Sequence, residues 1–381
     1  MRIGETLYFD YQASTPLDPR VGKVMREAET HLFANPHAAD HILGWRAAAA
    51  ITEAARQIAD LLGMDGDDVT FTSGASEANA MVFHAARRLA EETGRTEILI
   101  GEGDHSSILN EAGASGLLVR TVPLDQDGAP DLSALSHMIS RRTSMVSLIG
   151  VSNETGAITD LAAAAKLCDP SGAHLHADLS QALLTLDLNM FTTGLSFATL
   201  SSHKIYGPKG IGALLATPQT SKWISPLVFG GRQQSGRRGG TLPTELCVGF
   251  GEACRILASE GSAERMRVAA LRDTFVGRLE TLGIARLIGD RAARHPGNAL
   301  MHFARIDAGD LLSRLQPLLA ASSQSACASG SVEPSRIIQA MGFSREIASE
   351  CIRFSLGRYS DALQVEEAVS CIQEAIAAVN I

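Results

Sequence analysis

The sequence has no run approaching the ~20 consecutive apolar residues that a membrane-spanning helix needs. Its first ten residues, Met1 to Asp10, lack the basic stretch and apolar centre of an export signal. A cytoplasmic protein that avoids membranes is the expectation. The six cysteines, at 168, 247, 254, 327, 351 and 371, include no C-x-x-C pair and no Cys/His group with zinc-site spacing. Neither a disulfide framework nor a metal centre is expected, and the thiols should stay reduced. There is no G-x-G-x-x-G and no Walker A pattern, so a dinucleotide or nucleoside triphosphate is poorly supported. Positive charge is also scarce, with 33 Lys and Arg against 42 Asp and Glu and a net charge of −9. That balance removes the long-range attraction a nucleic-acid binder relies on. Arg232, Arg237 and Arg238, in a glycine-rich loop, form a local exception that reads as solvated or ligand-contacting.

What is present points to a folded enzyme-sized chain. Its 381 residues suggest about two domains, and 45% hydrophobic against 20% charged residues rules out a disordered chain. Between residues 43 and 216, short β-rich runs alternate with helical stretches, as in an α/β sheet with crossover helices. Seven strands are expected: Asp68 to Thr72, Glu97 to Gly101, Leu117 to Val122, Met145 to Gly150, Ala173 to Ala177, Phe197 to Leu200 and Gly212 to Ala216. Runs that are apolar throughout, such as Met145 to Ile149, suit burial on both faces of a parallel sheet. A helix is expected from about Leu242 through Leu282, interrupted near Gly261, as the bridge into a smaller C-terminal α+β domain that also takes in the N-terminal residues. The division expected is 16–255 for the large domain, with 1–15 and 256–381 forming the small one.

In open α/β sheets, ligands bind beyond the carboxyl ends of the strands. Six polar features fall there or in loops. Gly74, Ala75 and Ser76 join a strand to a helix and read either as a phosphate cup or as an ordinary helix cap. Asp178 ends an apolar run, where a carboxylate needs a cationic partner such as a protonated pyridine nitrogen, or else caps the next turn. Gln181, a turn further on, could reach the oxygen of such a ring. Lys204 follows Ser201, Ser202 and His203, whose side chains could bind phosphate. In a dry site its amine would condense with an aldehyde. His105 sits at a strand-to-helix junction as a cap, or as a ring that stacks on a flat cofactor and shuttles protons. Cys327, alone among the cysteines, lies among Ser, Gln, Ala and Gly, in a loop of about 322–332 that presents a nucleophilic thiol.

These motifs, with Tyr8 to Pro16, Thr72 to Asn79, Asn153 to Gly156, His203 to Gly210, Gly240 to Pro243, Ser325 to Cys327 and Ile352 to Arg358, resemble the cysteine desulfurase family. This is the NifS/IscS-like branch of the class V pyridoxal-phosphate aminotransferase superfamily, and the likeness covers nearly the whole chain. The resemblance implies the fold type I architecture of pyridoxal-phosphate-dependent transferases. It also implies that Lys204 holds pyridoxal 5'-phosphate as a Schiff base, that Asp178 pairs with the ring nitrogen, and that His105 stacks on the ring. Asn153 and Gln181 would lie near the ring oxygen, while Ala75, Ser76, Ser201 and His203, with Thr241 from the other subunit of a homodimer, would bind the phosphate. Arg353, helped by Asn35, would fix the carboxylate of L-cysteine. Cys327 would take the sulfur as a persulfide, leaving L-alanine, and pass it to an acceptor protein such as an iron–sulfur scaffold. Gln324 departs from the family, which commonly has glycine there. Two other readings keep different parts of this picture: a selenocysteine lyase or another class V lyase or aminotransferase, and an inactive cofactor-binding scaffold subunit.

Overall fold

The structure, a computed structural model, describes residues 1–323 and 333–378. Seven strands form the central sheet in the order Val69–Thr72, Gly212–Ala216, Phe197–Ser201, His174–Asp178, Thr143–Ile149, Glu97–Gly101, Leu118–Val122. Only Gly212–Ala216 runs against its neighbours, and the other pairs are parallel. The mostly parallel sheet expected from the sequence is therefore present. Thr143–Ile149 is buried at every position, as a strand covered by helices on both faces must be.

Helices follow the strands and end where the sequence stops them. Ala75–Thr93, for instance, closes on Gly94, which takes the left-handed conformation (φ 72°) and returns its N–H to the Ala90 carbonyl. The expected break near Gly261 is absent: Thr244–Thr281 is one unbroken helix of 38 residues. Gly261 is a packing residue, because a Cβ there would lie 2.8 Å from Leu257 Cδ1. Among the described residues no helix is long and apolar enough to cross a membrane.

A second, antiparallel sheet has the order Arg286–Leu287, Asn298–His302, Cys351–Ser355, Ser322–Ser323. Its hydrophobic cluster includes Phe275, Phe303, Phe354 and Ile372 together with Leu7 and Phe9 from the start of the chain. Phe9 packs on Phe275 with ring centroids 5.7 Å apart. Beyond Phe9 the chain bridges to Ser355 through Asp10, which carries residues 10–14 into the space between the two sheets.

Three histidines are held neutral by this packing. His176, on the strand His174–Asp178, is fully buried and bonded to Ser147 Oγ at 2.8 Å and Thr199 Oγ1 at 3.1 Å. Burial lowers its pKa well below the usual value, lowers His295 to about 3, and, with Lys204 and Lys209 adding to it, lowers His203 to about 4. Each folded-state pKa lies below the unfolded value of about 6.5. The unfolded chain therefore binds protons that the folded chain refuses as pH falls through that window, so stability is full above it and is lost toward pH 4. The expected result is a Tm that falls steadily between pH 7 and pH 5, with a shallower fall in His176→Gln. A Tm independent of pH over that range would contradict this account.

Candidate active site

A cavity of about 830 Å³ opens at the carboxyl edge of the parallel strands, where the second sheet faces them. Its first wall is the turn from Val69–Thr72 into the helix Ala75–Thr93. Ala75 and Ser76, whose N–H groups open the helix and so have no partner within it, line the cavity. The turn rests on Gly212, where a Cβ would come within 2.7 Å of the Gly74 backbone and 2.6 Å of the Leu200 carbonyl. Any larger residue there would push the cup into the cavity. Glu77 is drawn aside from the cup. Burial opposes its ionisation, but Arg238 at 3.0 Å and the Ser73 N–H at 2.6 Å outweigh that and hold its pKa below the usual range.

Asp178 stands at the end of the strand His174–Asp178, 3% exposed. Its oxygens accept from Ser180 N at 3.0 Å and from Asn79 Nδ2 at 3.0 Å, both neutral donors. The side chain is thus held in place at the edge of the cavity. Asn79 also donates to Ser107 Oγ at 3.0 Å. It was not singled out from the sequence, although a polar residue on the buried face of an amphipathic helix is a readable signal.

His105 is both a helix cap and part of the cavity wall. Ser107 N donates to its Nδ1 at 3.2 Å, so Nδ1 is the unprotonated nitrogen. Burial lowers its pKa, Lys204 adds to the effect, and Asp178 partly offsets it. The turn that carries it is fastened by Asp104, a fully buried residue missed in the sequence, which accepts from Ile149 N at 2.7 Å and Gly101 N at 3.0 Å.

Lys204 closes the short turn that follows Phe197–Ser201. Its Nζ donates to the carbonyls of Gln12 at 2.6 Å and Ala13 at 3.0 Å. Ser201 and His203 line the same cavity, with His203 Nδ1 3.1 Å from Ser14 Oγ. Ser202 does not line it; its Oγ is buried against Gly207. Gln181 also lines the cavity, and its Nε2 donates to the Gln12 carbonyl at 2.8 Å.

The opposite wall comes from the second sheet. The Arg353 side chain is buried, with Nη1 donating to the Asn153 carbonyl at 2.5 Å and Nη2 to Asp10 Oδ1 at 2.8 Å. Asp10 Oδ2 accepts from Ser322 Oγ at 2.8 Å. Neither Asp10 nor Gln12 was anticipated as a wall residue. Asn153 and Glu154 complete this side. Burial raises the Glu154 pKa, and its carboxyl accepts from Ser335 Oγ at 2.5 Å. Two expected residues lie outside the cavity of the single chain: Asn35, exposed and capped onto His37 N, and Thr241, also exposed. Cys327 and Gln324 lie outside the described residues.

The model of the aminotransferase class-V family matches residues 7–367. The cysteine desulfurase IscS of Rickettsia massiliae (strain Mtu5) is 36% identical over 372 residues, which is 96% of this chain and 90% of that protein. The IscS of Rickettsia felis is 37% identical over 374 residues, with the same coverage. Among solved structures, one described as a NifS-like protein superposes with a TM-score of 0.91 at 26% identity, covering 98% of this chain and 99% of that one. Another, described as SspA in complex with cysteine, gives 0.80 at 29% identity, covering 93% and 100%.

Proposed function

The chain belongs to the aminotransferase class-V family as a pyridoxal-phosphate-dependent cysteine desulfurase, and we propose that Lys204, Asp178 and Arg353 set the reacting geometry while Cys327 takes the sulfur. The observation that carries this reading is the convergence of an amine, a buried carboxylate and a guanidinium on one cavity. The residues fit the cofactor. The N–H cup at Ala75 and Ser76 with Ser201 and His203 suits its phosphate, Asp178 suits its ring nitrogen, and the His105 ring suits its face. Gln181 and Asn153, which also line the cavity, suit its ring oxygen.

When bound, pyridoxal phosphate supplies an aldehyde that condenses with amines and a ring that draws electrons from the substrate Cα–H bond. The work of the chain is then specific. Arg353 binds the L-cysteine carboxylate, and Asp178 keeps a positive charge on the ring nitrogen. The Lys204 amine would take the Cα proton. The Cys327 thiolate attacks the substrate sulfur, so that an S–S bond forms, the Cβ–S bond breaks and its electron pair returns to carbon, which gains a proton and leaves as L-alanine. Ser322 and Ser323 line the cavity, and Cys327 follows Ser323 by four residues in the sequence; this supports its delivery to the substrate.

The working unit in this reading is a homodimer in which Thr241 completes the phosphate site of the partner. Its exposure, and that of Phe33, Trp45 and Phe229, supports a surface covered by a second copy. The persulfide passes to a protein acceptor in the cytoplasm, an iron–sulfur scaffold being the first to try. The separation of the cluster under the parallel sheet from the one that joins Leu7 and Phe9 to Phe275, Phe354 and Ile372 supports a division into a large domain, 16–255, and a small one, 1–15 with 256–381. One experiment tests the whole: cofactor-loaded protein, its mass fixed by sedimentation, is mixed with L-cysteine, and alanine and the mass of the Cys327 peptide are measured. A dimer, alanine, and one added sulfur on that peptide are expected. Alanine without the adduct would remove Cys327 from the reaction, and full turnover by a monomer would remove the shared site.

A further inference from the structure

We infer that Gln12 is a substrate-binding residue whose side-chain N–H meets the carboxylate of L-cysteine beside Arg353. This rests on reading Arg353 as the carboxylate anchor. Gln12 is 2% exposed and lines the cavity, and the orientation of its amide is fixed by a chain of contacts. The Glu154 backbone carbonyl can only accept, so the Asn298 atom 2.9 Å from it is the donor Nδ2. That same Nδ2 lies 2.7 Å from the Gln12 side chain, so the Gln12 atom facing it is Oε1, and Nε2 is the other end of the amide. Gly156 (φ +77°) protects this arrangement, since a Cβ there would come within 2.6 Å of Asn298 Cγ.

Among the described residues, Gln12 Nε2 has no hydrogen-bond partner, and neither has Arg353 Nε. Buried donors left unpaired are costly, and native structures keep few of them. Gln12 and Arg353 share the cavity wall with Ser180, whose Oγ is likewise unpaired, and a carboxylate brings acceptors for two such donors. The backbone sets them on neighbouring stretches of chain. Gln12 N donates to Ser355 Oγ at 3.0 Å, two residues from Arg353 along the strand Cys351–Ser355 and on the same face. Asp10 grips Arg353 from the same segment. Both donors are thus held in place before substrate arrives, as a binding site requires.

The test is binding of L-alanine, the product, and of ethylamine, the same amine without the carboxylate, to the cofactor-loaded enzyme, followed by cofactor absorbance. Gln12→Ala and the similarly sized Gln12→Met should weaken L-alanine by about 10- to 100-fold, the equivalent of one hydrogen bond to a charged group. The KM for L-cysteine should rise in step, with kcat nearly unchanged and ethylamine binding unaltered. If Arg353→Ala weakens L-alanine but neither Gln12 variant does, the role given to Gln12 is overturned while the anchor stands. If Arg353→Ala also has no effect, the anchor itself is wrong. If the Gln12 variants shed cofactor while the preference for L-alanine over ethylamine persists, the amide serves the cofactor and the inference fails.

Discussion

Lys204→Ala is expected to lower L-alanine formation from L-cysteine by at least about 10⁴-fold, the upper end for loss of a positioned acid–base group, because the same amine also presents the cofactor. Two other basic groups of the wall are committed: Arg353 is bonded to Asp10 and Asn153, and His203 is kept neutral with a pKa of about 4 by burial and the neighbouring lysines. His105 and Lys209 also line the cavity, and the prediction is that neither replaces the Lys204 amine. Cofactor retention should survive, since the N–H cup and Asp178 do not depend on the lysine. The check is single-turnover alanine release together with the absorbance of the purified variant. Turnover within about tenfold of the parent would show that another group moves the proton.

Asp178→Asn is expected to lower turnover by about 10³-fold, with L-alanine affinity changed only a few-fold. The substitution keeps shape and removes charge. Asn79 and Ser180 N would still flank the side chain, but the ring nitrogen would lose the counter-charge assigned to Asp178. A unit charge pair about 4 Å apart at an effective dielectric of about 20 is worth about 4 kcal/mol, which corresponds to about 10³ in rate if the charge is needed only as the Cα proton leaves. Rates measured under saturating L-cysteine decide this. A loss smaller than about fivefold would mean that the ring nitrogen need not be charged.

The sheet and one side of the cavity were legible in the sequence for a physical reason. A parallel strand covered on both faces must be apolar along its length, and its functional groups must stand just past its end, so Asp178, His105 and Lys204 are each marked by a local change of texture. The other wall carries no such mark. Asp10 and Arg353 are 343 residues apart in the chain, and Gln12 and Asn298 are separated by 286. Only the meeting of the N-terminal segment with the second sheet makes neighbours of them. Arg353 was reached through family likeness alone, and Gln12 by neither route. Gly261 misled in the opposite direction. A glycine inside a helical pattern reads as a break, but Gly261 packs close to the Leu257 side chain and the helix runs through it unbroken.

That unbroken helix has a mechanical consequence. At 1.5 Å per residue it is a rod of about 57 Å. Cys247, Phe250, Cys254 and Leu257 on its first half belong to the core under the parallel sheet, while Val268, Phe275, Val276 and Leu279 belong to the other. A strut seated in both clusters stiffens the joint between them, so a bend there would have to unseat side chains at one end of the helix or the other.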